Sequence, residues 1–441
     1  MVRRRDALLL AAYAALLIYL AQLRPFWLDE ALDLIGTTRP DVRGVVQWVV
    51  RNPGAAPLGY LTQHLFIATF GLTRLSARAG PAIFSIFSVI ALAWFVRDVK
   101  SSASPILPIA FLLLPMQLRY AVEGRPYSQA LFFAIAALWC LWRYTAAPSI
   151  RLAVLYAALV AAGLYTQPLS ASVQVGALAG LALDRQYKAV QTGCIALGIA
   201  CLAFAPWYLY VESAWRHEIV VNGYSSTLTP GILLALLREI SGDGYAASLS
   251  LLAAAALGWR HTDSRLRRFL LGSVISGIVC TLAADAAFSY FFASRQVIFV
   301  LPALVWLAAS GLGSPRHRPW QSAFVAMLVV ASLAKNVSYF RSPGEDWPGA
   351  ARALLNATGS GACAIVPSPE YPELYGVFEP ALNGRFCKES DAAGPVVLVT
   401  SRYSLRTSLA QVTRILAERG FRANRETQAA GLRLTFFLPG S

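Results

Sequence analysis

Long apolar runs, separated by short polar joints, fill most of the chain. They lie near residues 7–23, 75–96, 104–118, 127–142, 151–166, 169–183, 189–210, 246–259, 269–287, 296–312 and 320–336. A helix needs about 20 apolar residues to cross the hydrocarbon of a bilayer, and fewer where neighbouring helices cover it. The pattern therefore predicts eleven membrane-spanning helices over residues 1–336. Two shorter segments fall between the first and second runs. Residues 41–52 set Val42, Val45, Val46, Val49 and Val50 on one helical face, with Arg43, Gln47 and Arg51 off it. That spacing predicts an amphipathic helix on the outer membrane surface; a buried valine-rich strand is the competing reading. Residues 57–71 are apolar again and are expected to dip in from the outer side, because a further full crossing would break the charge alternation described below.

Beyond residue 337 the pattern changes, opening with Pro343-Gly344-Glu345-Asp346-Trp347-Pro348. Residues 362–366, 395–400 and 432–438 read as short buried strands, and 404–420 as a capped helix with Leu405, Leu409, Val412 and Leu416 on one face. Residues 337–441 are thus expected to form a small α/β domain.

Composition fixes the class. Hydrophobic residues make up 57% of the 441 and charged residues 14%, with a mean hydropathy of +0.53. A soluble domain carries about 25% charged residues, so this is a polytopic membrane protein. The formal charge of +15, from 38 basic and 23 acidic residues, would point to nucleic acid in a soluble chain. Here the basic residues fall in clusters between apolar runs rather than on one face, which argues against nucleic acid and for bilayer orientation. Arg3, Arg4 and Arg5 precede the first run, and Arg97/Lys100, Arg143/Arg151, Arg185/Lys188, Arg260/Arg265/Arg267/Arg268 and Arg316/Arg318 occupy every second loop. Retained loops are enriched in Lys and Arg. The N-terminus is therefore expected on the cytoplasmic side of the cytoplasmic membrane, and the C-terminal domain outside. The first run lacks a small-residue cleavage pattern and reads as an uncleaved anchor. Cys140, Cys194, Cys201 and Cys280 lie in apolar runs and read as packing residues. Cys363 and Cys387 fall in the outer domain, where a disulfide would persist, although spacing alone leaves the pairing open.

The candidate chemistry lies in the charges on the outer side. Asp29 and Glu30 follow Phe26-Trp27 just beyond the first run; adjacent carboxylates there suit a base and its orienting partner, or a plain helix N-terminus. Arg119, Glu123, Arg125 and Tyr127 stand between the third and fourth runs. Charges in such a place are costly unless they bind something, and the guanidinium fork matches phosphate oxygens. A salt bridge between Glu123 and either arginine is the plain alternative. Arg295, in Tyr290-Phe291-Phe292-Ala293-Ser294-Arg295-Gln296, is by itself a snorkelling anchor, yet it brings a third arginine position to the same face of the bilayer.

These motifs, in this order, resemble the lipid-linked-sugar glycosyltransferases of the GT-C fold, in particular the superfamily of protein O-mannosyltransferases and aminoarabinose–lipid A transferases. Asp29-Glu30 matches the acidic motif of the first outer loop, and Pro57-Leu58-Gly59-Tyr60 with His64 resembles a "PPLYY…H" stretch. Glu123-Gly124-Arg125-Pro126-Tyr127 matches "EARxY", Ala205-Pro206-Trp207 matches "PW", and Glu345-Asp346-Trp347 resembles the "DW" that opens the outer domain. Gln167 stands where relatives commonly have His, and Gln296 where Tyr is usual, departures that bear on the substrate.

The resemblance implies an all-α polytopic module of GT-C type with a small extracytoplasmic α/β domain. It also implies inverting transfer of a hexose or pentose from a polyprenyl-phosphate donor to a hydroxyl on a lipid, glycan or protein of the cell envelope. Asp29 is then expected to act as base, with Glu30 as its orienter or a metal-facing partner. Arg125 is expected to be the main phosphate contact, positioned by Glu123, with Arg119 and Arg295 as further phosphate contacts; Tyr60, His64, Tyr127 and Gln167 are expected to line the sugar cavity. The four histidines show no zinc-site spacing, and no cofactor is assigned; a divalent metal at Asp29 or Glu30 stays open, because some GT-C relatives use one. The competing function is a transporter or flippase of lipid-linked glycans, since intramembrane charges mark such pathways, but the internal repeat usual in transporters is not visible. A non-catalytic scaffold is the third reading.

Overall fold

The computed structural model describes residues 4–99, 106–221, 226, 228–242, 244–288, 293–312, 319–342, 345–359, 361–367, 372–401, 404 and 406–440. Arg3, Lys100, Tyr290, Phe291, Phe292, Arg316, Arg318, Pro343, Gly344 and Leu405 lie outside the described residues, as do the side chains of Arg4 and Arg5. The chain divides into two compact units, one of residues 1–21 and 40–342, the other of 22–39 and 343–441.

In the first unit each of the eleven apolar runs carries helix. Among the described residues, Arg74–Val99, Tyr187–Val220, Ser264–Phe288 and Pro319–Arg341 are each long and apolar enough to cross a membrane, and Ala7–Leu23 with Leu28–Thr37 makes a fifth if counted as one span. Several other runs are short or broken. The run 104–118 splits into Ile106–Leu113 and Pro115–Ala121, because Pro115 has no N–H with which to continue the ladder. The Leu113 carbonyl beside the break is taken by Asn336 Nδ2 at 2.8 Å, which ties the last long helix to this corner. The largely aliphatic core also holds aromatic rings: Phe95 meets Trp306 at 4.8 Å and Phe269 at 6.2 Å, edge to face, a favoured ring geometry.

Residues 42–50 are helical, which excludes the strand, and Asp41 caps them by accepting the Gly44 N–H at 2.7 Å. Of the valine stripe, Val45 and Val49 are buried and Val42 is 56% exposed. Val45 and Val49 pack with Tyr60, Trp207 and Val211, because helix Pro57–Phe70 and helix Tyr187–Val221 bring apolar surface enough to cover them.

The second unit holds a four-stranded sheet in the order β1-β2-β4-β3, with β1 Cys363–Ile365, β2 Val396–Thr400, β3 Phe421–Ala429 and β4 Leu432–Pro439. β1 runs parallel to β2 with Cys363 opposite Val396, and β4 is antiparallel to both β2 and β3. Hydropathy predicts β1, β2 and β4 but not β3, whose sequence FRANRETQA has almost no buried face; an edge strand of this kind is held by its ladder. Helix Arg406–Glu418 buries Val412 and Leu416 in a cluster with Phe421 and Phe437. Cys363 and Cys387 are disulfide-bonded, their Cα atoms 5.9 Å apart. Helix Leu28–Thr37 belongs to this unit too: it buries Ala31, Leu34 and Ile35 and lies against helix Pro372–Phe378. Hydropathy had placed it in the first outer loop of the membrane module.

Candidate functional site

In the helical unit the site grows from the short helix Pro115–Ala121 and the turn that follows it. Arg119 Nε donates to Glu123 Oε1 at 2.6 Å. Glu123 is only 2% exposed, and the same oxygen accepts the phenol of Tyr339 from helix Pro319–Arg341. A carboxylate is kept out of water only when it is paired and hydrogen-bonded, and these two donors supply that. The Arg119 guanidinium also lies over the Tyr339 ring at 5.0 Å and the Tyr120 ring at 5.6 Å, within cation–π range. Burial works against its charge, but Glu123, Tyr120 and Tyr339 outweigh that effect and raise its pKa above the ordinary arginine value. Burial, reinforced by Glu123, pushes the Tyr120 phenol up as well. Arg119 therefore stays cationic and Tyr120 neutral at any working pH.

The network continues through Tyr127. Its ring stands 4.8 Å from that of Tyr120, its hydroxyl accepts Arg295 Nε at 3.0 Å, and the Arg125 guanidinium carbon lies 5.9 Å from its ring centre. Arg119, Glu123, Arg125, Tyr127 and Arg295 are thereby joined in one cluster, with Tyr120 as an unforeseen member. The Glu123 carboxylate is engaged by Arg119, four residues back on a helical turn where side chains at that spacing meet, and by Tyr339, and the Arg125 N–H donates to the Glu123 carbonyl at 2.7 Å.

Beside this cluster is a cavity of about 230 Å³, bordered by Arg119, Tyr120, Arg238, Glu239, Lys335 and Tyr339 among others. Arg238 Nη2 is paired with Glu239 Oε1 at 2.5 Å. Their turn is pinned to the Arg119 helix by Met116 N–H donating to the Ser241 carbonyl at 3.0 Å. Gly242, at φ +118°, permits this, because a Cβ there would strike the Met116 backbone nitrogen. Even with Glu123 behind Arg119 and Glu239 beside Arg238, the three cations outnumber the two carboxylates, an excess that suits an anionic group. Sequence reasoning missed Arg238, Lys335 and Tyr339. Lys335 is a charge inside an apolar run, and Tyr339 lies four residues on, on the same helical face; that pairing was the available signal.

Helix Pro57–Phe70 packs beneath the Arg125 turn. Gln63 Nε2 donates to the Gly124 carbonyl at 3.2 Å and to the Ala77 carbonyl at 2.9 Å. A Cβ on Gly59 would lie 2.5 Å from Pro126 Cβ, so glycine is what lets the two segments meet. At its start, Leu58 N–H donates to the Tyr165 carbonyl at 2.8 Å. Tyr60 is buried, accepts Asn52 Nδ2 at 2.7 Å, and packs with Val45, Val49 and Trp207. Gln167 is buried in the turn before Pro168, and His64 is half-buried. Tyr60, His64, Arg125, Tyr127, Gln167 and Arg295 lie outside the lining of the cationic cavity.

In the other unit, Asp29 and Glu30 occupy the first turn of helix Leu28–Thr37, where the helix dipole favours acids. Glu30 Oε2 accepts the Trp27 N–H at 3.4 Å. Glu30 and Asp33 are buried at 1% and 2% exposure, whereas Asp29 is half-buried. Of these three acids it alone keeps access to solvent. Asp33, four residues after Asp29, was also missed, although the spacing was legible. Among the described residues no group of three or more His, Cys, Asp or Glu is disposed to hold a metal ion.

No family model matches the chain and no curated sequence does. Solved structures do. ArnT from Cupriavidus metallidurans, in the apo state and bound to undecaprenyl phosphate, is similar with a TM-score of 0.65 in both cases, at 13% and 14% identity over 98% of this chain and 97% of that chain. The Archaeoglobus fulgidus oligosaccharyltransferase, in complex with Zn and sulfate, is similar with a TM-score of 0.52 at 12% identity, over 98% of this chain and 73% of that one. At such identities the likeness is one of fold, and the fold is GT-C.

Proposed function

We propose that the chain is an inverting glycosyltransferase that moves a sugar from a polyprenyl-phosphate donor to an acceptor hydroxyl at the outer face of the cytoplasmic membrane. In this reading residues 1–336 form an eleven-span module and 337–441 an extracytoplasmic domain, with the N-terminus in the cytoplasm. One observation carries it: the buried Arg119–Glu123–Tyr339 corner borders a cavity with Arg238 and Lys335. The fold is shared with a protein solved with undecaprenyl phosphate.

The chemistry asks little of the protein. The acceptor oxygen attacks the anomeric carbon from the face opposite the phosphate, the glycosyl C–O bond breaks, and its electron pair leaves on the polyprenyl phosphate. The hydroxyl proton goes to the Asp29 carboxylate, which needs only hydrogen-bond reach. Phosphate is already a good leaving group and calls for fixed cations rather than a strong acid. Arg125 is the main contact, Arg119 and Arg295 support it, and Arg238 and Lys335 extend the positive field. One displacement without an enzyme nucleophile inverts configuration. Glu30 orients Asp29, and Tyr60, His64, Tyr127 and Gln167 shape the sugar's surroundings.

The test uses membranes carrying the wild type, Asp29→Ala or Arg125→Ala, supplied with a panel of polyprenyl-phosphate hexoses and pentoses. Loss of transfer in both variants at matched protein levels supports the reading, and unchanged transfer in both removes the site. Translocation of intact lipid-linked sugar without transfer favours the flippase.

A further inference from the structure

The acidic helix is held by the C-terminal domain. Residues 22–39 cluster with residues 343–441, and Pro25 falls in a non-helical stretch before helix Leu28–Thr37. A helix that follows such a break does not inherit its direction from the one before it. Within this unit the helix buries Ala31, Leu34 and Ile35 and lies against helix Pro372–Phe378, and the segment just before it adds an aromatic contact. Phe26, 4% exposed, stacks on Phe378 with ring centres 5.8 Å apart and planes 30° apart. Phe378 ends helix Pro372–Phe378. Three residues earlier, Tyr375 is fully buried, 6.0 Å from Trp347 and 6.4 Å from Phe386. Phe386 bridges to Ala364 of β1, and the next residue, Cys387, is bonded to Cys363. The path runs from the sheet through Phe386, Tyr375 and Phe378 to Phe26, three residues before Asp29. It also gives the Asp346-Trp347 pair a physical role: Asp346 caps its helix by accepting the Gly349 N–H at 3.1 Å, which sets Trp347 against Tyr375.

We infer that Phe26 and Phe378 are positioning residues for Asp29, and that the disulfide-closed loop carrying Phe378 makes transfer sensitive to the redox state of the C-terminal domain. The inference rests on the reading of Asp29 as base. Displacing a reacting group by about 1 Å can cost on the order of 100-fold in rate. The donor phosphate is assigned to arginines of the other unit, so its binding is left alone.

The experiment measures kcat and donor KM in membranes, with whichever polyprenyl-phosphate hexose or pentose the wild type accepts. Phe378→Ala should lower kcat about 10- to 100-fold with donor KM unchanged, and Phe378→Tyr should restore most of it. Cys363→Ser, or reduction of the wild type with dithiothreitol, should give the same kcat-only loss. Wild-type kcat in Phe378→Ala overturns the proposal. So does a loss that Phe378→Tyr fails to restore, or one in which KM rises as kcat falls, since those are signs of general collapse. Asp29→Ala, measured alongside, separates the two claims. If it keeps full activity, the assignment of the base fails; if it is inactive while Phe378→Ala is not, only the positioning role fails.

Discussion

Two arginine–carboxylate corners in the helical unit are built from the same chemical pair. Arg119 binds Glu123 within one turn of chain, whereas Arg268 and Arg265 reach across from helix Ser264–Phe288 to Asp184 at the end of helix Ser172–Leu183. Each has an aromatic neighbour, Tyr339 under Arg119 at 5.0 Å and Trp142 under Arg265 at 4.9 Å. They differ in access to water. The Glu123 side chain is 3% exposed, its partner Arg119 33%, and their corner borders the cationic cavity. Asp184 is 15% exposed and Arg268 40%, so the two corners differ in their carboxylates rather than in their guanidiniums. A surface pair gains little over its hydrated parts, while a buried one has given up its water and fails badly if half of it is removed. Burial of the carboxylate, rather than the presence of a salt bridge, distinguishes the corner beside the cavity.

Arg119→Ala should have the largest effect. It leaves Glu123 buried without its cation and takes one donor from the leaving phosphate, so transfer should fall about 100- to 1,000-fold, as when a single preorganised donor is deleted. Initial rates at equal protein content measure this, and a loss of under tenfold would break the contrast between the corners. Glu123→Gln keeps the shape but removes the charge that holds Arg119, so transfer should fall about tenfold, equivalent to roughly 1.4 kcal/mol. Tyr339→Phe takes away one hydrogen bond to a charged group, worth about 1.5–3 kcal/mol. It should appear first as a lower midpoint in thermal unfolding, with transfer reduced only a few-fold because Arg119 still holds Glu123. A midpoint equal to the wild type would place the Glu123 carboxylate in reach of water and weaken the argument from burial.

The helical runs were legible because a long stretch without charge leaves a strong mark, although among the described residues four of them, or five with the bent pair, are long and apolar enough to cross a membrane. Asp29, Glu123 and Arg125 stood out in the sequence as charges between apolar runs. What stayed hidden depends on contacts between distant positions. Tyr339 lies 216 residues from the carboxylate it donates to, and Gly242 shows its purpose only once Met116 is beside it. β3 was hidden for a different reason: its side chains face solvent, so pairing with β4 leaves no hydrophobic trace. Residues 22–39 follow a membrane run in sequence, and nothing in hydropathy says that their helix packs with residues more than 300 positions later.

Arg268→Ala tests the other corner and should do least. Asp184 keeps Arg265 at 3.5 Å, so the carboxylate is not left alone, and the side chain removed is 40% exposed. The pair is then worth no more than about 1 kcal/mol, which in thermal unfolding is a shift near the limit of detection for a membrane protein of this size. Arg260, Arg265 and Arg267 remain in the same loop, so most of its positive charge is kept, and transfer should stay within about twofold of the wild type, well inside the roughly 1.4 kcal/mol that a tenfold change requires. Side-by-side rates of Arg268→Ala and Arg119→Ala in one membrane preparation give the comparison its sharpest form. A tenfold loss in both would mean that partial exposure does not protect a salt bridge here, and that the basic loops and the cavity share one structural fate.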